Sequence, residues 1–255
     1  MTKKKTAKKD SGLKICGKIF LLSLWVVVSV IAVQLIVGYL LILLLGKTVA
    51  SRPVWVAVYS AVSYILAMIL IIWVPIAIKK KQIKTAELRE DLGLIDLPTW
   101  TDIGLAPVGF IVSTLLAAGL VAVFSFFPWF NAEEAQAVGF NQFLVGSDRA
   151  FAFITLVVLA PIAEEIIFRG FLYGKIRNLL HGKIADKWGI IIAILIVSIL
   201  FGVIHLQWNV GVNVFAMSVV LCALREITGT IYAGILTHMV KNGIAFFLLY
   251  VIGIH

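Results

Sequence analysis

Charge is the first thing this chain is short of. Only 14% of its 255 residues are Asp, Glu, Lys or Arg, while 62% are hydrophobic, and the mean hydropathy is +1.07. A water-soluble domain of that length needs a polar face along most of its helices. Here the apolar runs are continuous rather than striped, so the helices are apolar nearly all round and the bilayer is their solvent. Cysteine is scarcer still. Cys16 and Cys222 have no CxxC spacing, which argues against a disulfide and a cysteine-based metal site. An HExxH pair is absent, as are internal repeats, linkers that would divide the chain, and low-complexity tracts beyond a lysine-rich N-terminus. The chain reads as one integral membrane domain.

Acidic residues are outnumbered, 13 against 22 basic, for a net charge of +9. The placement of the excess decides its meaning. Lys3, Lys4, Lys5, Lys8, Lys9, Lys14 and Lys18 precede the first apolar run. Lys79, Lys80, Lys81, Lys84 and Arg89 follow the second, and Lys175, Arg177, Lys183 and Lys187 follow the fourth. Basic residues at span ends mark the cytoplasmic side and favour anionic lipid. No basic stripe with interleaved aromatics accompanies them, so nucleic acid is not the expected partner.

A span needs about 20 apolar residues. Seven stretches qualify: Ile19–Leu45, Val54–Ile78, Ile103–Phe127, Ala150–Leu172, Trp188–Leu206, a short Val210–Leu224, and Thr230–Ile252. The fold class is therefore all-α, a polytopic transmembrane bundle of about seven spans, within a range of six to eight. The first run is too long for a signal-peptide core and reads as a retained anchor. With the lysine-rich tail inside, every basic cluster falls on the cytoplasmic face of a plasma-membrane protein. Six tryptophans (Trp55, Trp73, Trp100, Trp129, Trp188, Trp208) lie near predicted span ends, as an interfacial belt places them. The mixed segment Thr85–Thr101 reads as a short amphipathic interfacial piece. Glu133 and Glu134, in a polar outer connection, read as solvated.

Against this background "LAPIAEEIIFRGFLYGKIR" (Leu159–Arg177) stands out, because it places Glu164, Glu165 and Arg169 inside a span. Each such charge costs on the order of 2.5–3.5 kcal/mol at a span centre. Glu165 and Arg169 lie on one helical face and can pair. Glu164 has no cation at i+3 or i+4 and is left available. Pro161 removes a backbone donor and crowds the carbonyl of Val157, which bends or opens the helix. Two later spans add polar groups of their own. "FGVIH" puts Phe201 and His205 four apart, and "HMVKN" does the same for His238 and Asn242. His181, in a basic loop, and His255, at the terminus, have no such pattern.

These three motifs, "EEIIFRG", "FGVIH" and "HMVKN", occur in that order on successive spans. In this the chain resembles the CPBP (CAAX protease and bacteriocin-processing, or Abi) intramembrane endopeptidases. That family includes the type II CAAX prenyl endopeptidases and lysostaphin resistance protein A-like proteins. The resemblance covers roughly residues 150–255, the expected catalytic core. It leaves 1–18 as a basic cytoplasmic tail and 19–127 as accessory spans. It implies a peptide hydrolase acting on a membrane-embedded or membrane-associated protein or peptide; the basic tail and overall size point to a bacterial cell. By the same resemblance Glu164 is the general base and His205 helps hold the attacking water. His238 and Asn242 face the oxyanion, with Glu165 and Arg169 as support. No cofactor is required by that scheme. Zinc held by Glu164, His205 and His238 is the alternative, and it leaves Asn242 idle. A bacteriocin-immunity or scaffold role, and below it ion-coupled transport, use the same polar groups differently. One geometric difficulty accompanies all of these readings: His205 falls near the far end of its span. A fifth–sixth hairpin whose turn stops short of the outer surface would lower it to the others.

Overall fold

The computed structural model of the protein describes residues 11–78, 84–134, 140, 144 and 146–253. The tail lysines up to Lys9, Lys79 to Lys81, and His255 lie outside the described residues. Those that are described form helices and no strand. Seven of the helices are long and apolar enough to cross a membrane. They are α1 (Gly12–Leu45), α2 (Pro53–Ile78), α4 (Trp100–Phe124), α5 (Ser147–Leu180), α6 (Asp186–Val203), α7 (Trp208–Thr228) and α8 (Tyr232–Ile252). The shorter α3 (Thr85–Leu92) lies between α2 and α4.

The helices α1 and α5, 34 residues each, extend about 50 Å, well beyond a hydrocarbon core of about 30 Å. Their surplus carries the basic residues Lys14 and Lys18 on one and Lys175 and Arg177 on the other. The α7 helix corrects a sequence expectation. It runs 21 residues rather than the short Val210–Leu224, because Asn209 and Arg225 interrupt the apolar pattern without interrupting the helix. The shortest span is α6, at 18 residues, which ends at Val203 rather than Leu206.

At the centre of the bundle, α5 contacts α1, α2, α3, α6, α7 and α8. On the far side, α4 packs against α7 and α8. A single core cluster joins α5, α6 and α7 through Phe168, Leu172, Phe201, Met217 and Leu221. The expected interfacial segment does contain a helix, α3, but it is docked rather than floating. Leu92 is buried, and its carbonyl lies so close to Gly170 of α5 that a Cβ there would sit 2.9 Å from it.

Two local features shape the centre of α5. Turns of π-helix run through Ile154–Leu159 and Ile166–Tyr173, on either side of the α-helical Ala160–Glu165. The opening expected at Pro161 is thus taken up by a widened turn before it, and π-turns in this position re-aim the side chains that follow. Between α6 and α7 the chain reverses in Ile204–Gln207. Gly202 and Gly211 allow the two helices to meet there: a Cβ on Gly202 would lie 2.9 Å from the carbonyl oxygen of Gly211. Leu206, with φ 56°, is the one non-glycine residue with positive φ among those described. Its strained backbone turns the chain immediately after His205.

Candidate active site

Glu164 and Glu165 are adjacent on α5 but face different surroundings. Glu165 is fully buried, and its Oε1 accepts a hydrogen bond from Nη1 of Arg169, also fully buried, at 2.9 Å. The same oxygen lies 3.1 Å from Nδ1 of His238 on α8. The Arg169 cation also lies 4.4 Å from the ring centroid of Phe201, a contact that offsets part of its desolvation. Gly234 leaves room for this arrangement, since a Cβ there would come within 3.1 Å of Oε2 of Glu165.

Glu164 instead lines a cavity of about 390 Å³. Its Oε1 accepts a hydrogen bond from the Tyr64 hydroxyl at 2.8 Å, and its Oε2 lies 3.9 Å from Nε2 of His238. His238 therefore stands between the two carboxylates. Tyr64 comes from α2, a hundred residues away in sequence. Sequence reasoning gave it no role; a lone tyrosine in an apolar span carries no signal of its own.

His205 reaches the same cavity from the α6–α7 turn. Its Nδ1 lies 2.7 Å from the carbonyl oxygen of Phe201. That carbonyl can only accept, so Nδ1 carries the proton and Nε2 is left as an acceptor in the neutral ring. Burial pushes the imidazole below its ordinary value, a shift that the nearby Glu164 carboxylate opposes. Phe201 packs behind both histidines, with ring centroids 5.1 Å from His205 and 6.2 Å from His238.

Asn242 also lines the cavity, one helical turn after His238. Its amide nitrogen donates to the carbonyl of Leu156 at 2.9 Å. Leu156 belongs to the π-helical turn of α5, whose displaced carbonyls need such partners. One amide hydrogen thus ties α8 to α5, and the second remains for the cavity. Asn209 and Asn213 of α7 complete the polar wall, while Val210, Val214, Met217, Phe246 and Leu249 supply an apolar one. Asn209 also donates to the backbone carbonyl of Glu134 at 2.6 Å, which holds the connection after α4 against the start of α7.

Glu164, His205, His238 and Asn242 thus come together around one cavity, and Glu165 and Arg169 lie behind it. His181 does not join them; it lies exposed 3.7 Å from Asp186. No group of three or more His, Cys, Asp and Glu side chains among the described residues is set to hold a metal ion.

Residues 146–244 match the family described as type II CAAX prenyl endopeptidase Rce1-like. Over those residues the chain is similar to that family of CAAX proteases. The matched segment contains every one of the three motifs and all of α5, α6 and α7, and it ends within α8. Tyr64 lies outside it. No curated protein and no solved structure matches the chain. A family of membrane proteases, seven apolar helices and a buried polar cavity are mutually consistent: peptide hydrolysis inside a bilayer needs a pocket that can hold water.

Proposed function

We propose that this chain is an intramembrane endopeptidase that hydrolyses a peptide bond in a membrane-associated protein or peptide with a glutamate-activated water. The observation that carries this reading is the single cavity shared by Glu164, His205, His238 and Asn242, whose opposite wall is apolar. An extended, hydrophobic substrate segment fits such a lining.

Glu164 is the general base. Its Oε2 and Nε2 of His238, 3.9 Å apart, are too far for a direct hydrogen bond and suitably spaced to share a water. His205 offers Nε2 as a second acceptor for that water. The Tyr64 hydroxyl fixes the rotamer of the Glu164 carboxylate. Glu165, anchored by Arg169, fixes the ring of His238 through Nδ1. With Nδ1 donating, Nε2 of His238 donates to an oxyanion only from the imidazolium form; Asn242 donates through its second amide hydrogen. The scheme needs no metal. Zinc at one per chain with chelator-sensitive cleavage would replace it.

The family description points to the first substrate to try. Purified protein reconstituted in vesicles is expected to cut an S-prenylated peptide ending in a C-a-a-X sequence, and Glu164→Ala to abolish the cut. The membrane proteomes of cells carrying either form should then differ in uncut precursors, which would include peptide precursors and membrane anchors if the natural substrate is not prenylated. A Glu164→Ala variant that keeps full function in cells would establish a scaffold or immunity role instead.

A further inference from the structure

One cation in the cavity wall has no part in the scheme above. Lys241 follows His238 by three residues on α8 and precedes Asn242, so it projects from the cavity-facing side of that helix. It is half-buried and interacts electrostatically with both Glu164 and His205. Among the described residues it has no hydrogen bond and no ion pair. An ammonium held within a membrane span at a cost, without a direct hydrogen-bond partner among the described residues, is placed to meet a negative charge that forms beside it.

Apart from the histidines, the other side-chain donors around the cavity are neutral hydroxyls and amides, Asn242 among them with its second amide hydrogen still available. Tyr64 donates to Glu164, Asn209 to the carbonyl of Glu134, Asn213 to the carbonyl of Asn209, and Asn242 to that of Leu156. Both histidines have Nδ1 against an acceptor, which leaves Nε2 an acceptor in the neutral rings. We infer that Lys241 is a catalytic residue whose ammonium faces the carbonyl oxygen of the scissile bond and stabilises the oxyanion. This inference rests on the proteolytic reading of the site.

The charge balance of the step fits that role. Before reaction the negative charge near Lys241 is the Glu164 carboxylate. As an O–H bond of water breaks, its proton passes to Glu164 and the hydroxyl oxygen bonds to the carbonyl carbon. The π pair of the carbonyl moves to its oxygen. One negative charge has then moved from the carboxylate to the oxyanion, with the ammonium beside both. When the oxyanion collapses, the C–N bond breaks and Glu164 gives its proton to the leaving nitrogen. A fixed cation near the end point of this transfer favours the transition state over the ground state.

The test uses full-length protein in vesicles and a fluorogenic S-prenylated C-a-a-X peptide, made with a free and with an amidated C-terminus. Lys241→Met should lower kcat about 10²–10³-fold, change KM by less than about threefold, and act alike on both peptides. Lys241→Arg should recover part of the loss. A peptidyl trifluoromethyl ketone, which hydrates to a tetrahedral mimic, should bind Lys241→Met more weakly by a similar factor. The intact peptide should bind Glu164→Gln and Glu164→Gln/Lys241→Met equally. Full activity of Lys241→Met beside an inert Glu164→Gln would overturn this inference alone. So would a loss confined to KM and to the free-carboxylate peptide, which would make Lys241 a substrate-binding group. Wild-type protein as inert as Glu164→Gln would remove the proteolytic reading and this inference with it.

Discussion

Replacing Arg169 by Met tests the support of the site more directly than any change in the cavity. Arg169 and Glu165 are both 0% exposed and 2.9 Å apart. Methionine fills much of the same space but removes the cation, leaving a carboxylate in a dry interior beside His238. Breaking a buried pair from one side costs about 3–5 kcal/mol. At about 2–4 °C per kcal/mol, a scale taken from soluble domains of comparable length, the melting temperature should fall by roughly 6–20 °C. Intrinsic tryptophan fluorescence in detergent would report it. Pairing the change with Glu165→Gln removes the orphaned charge, so the double variant should regain at least half of the lost stability. It should nonetheless remain inactive, because His238 has lost the carboxylate that orients it. Arg169→Met melting within about 2 °C of wild type would refute the claim that Arg169 compensates the buried Glu165 carboxylate. A double variant no more stable than the single one would refute the claim that the stranded charge is the cause.

Tyr64→Phe removes a hydrogen bond to a carboxylate worth about 1.5–3 kcal/mol, so kcat should drop about 10- to 100-fold with KM little changed; unaltered kcat would show that Tyr64 merely packs. Gly234→Ala places a methyl group 3.1 Å from Oε2 of Glu165. It should cost about 1–3 kcal/mol and, by displacing Glu165, reduce cleavage further than the stability loss explains, which parallel melting and activity curves would reveal. Leu206→Gly relieves the positive φ next to His205 and should hold or raise the melting temperature, by up to about 1–3 kcal/mol of released strain; a clear drop would mean that the exposed Leu206 side chain does structural work. Labelling of Trp208→Cys by a membrane-impermeant thiol reagent should be weak if the α6–α7 turn lies below the outer surface. Fast labelling would place that turn in water.

Much of this arrangement was legible before any tertiary structure. Continuous apolar runs required membrane helices because backbone groups in lipid must satisfy one another locally. The four-residue spacing of Glu165 and Arg169 already implied their pairing, since both ends of that contact lie on one helix. Boundaries were read less well where polar residues fell inside helices. Asn209 and Arg225 made the sixth span look short, yet Asn209 lines the cavity and Arg225 donates to the carbonyl of Gly229 at the far end of the same helix.

What the amino-acid order by itself determined was therefore local: which segments are helical, which of them enter lipid, and which polar side chains share a helical face. Hydropathy and the 3.6-residue period act over a few turns, and a single chain displays both. Only tertiary structure decided the relations between helices. It brought Tyr64 to Glu164 across a hundred residues and set His238 between two adjacent carboxylates. It also carried His205 into the cavity through a turn tightened at Gly202 and Gly211, and set Lys241 in the cavity wall with no hydrogen bond or ion pair among the described residues. Such relations depend on how close two helices can pack and at what rotation, and no periodicity within either helix encodes that.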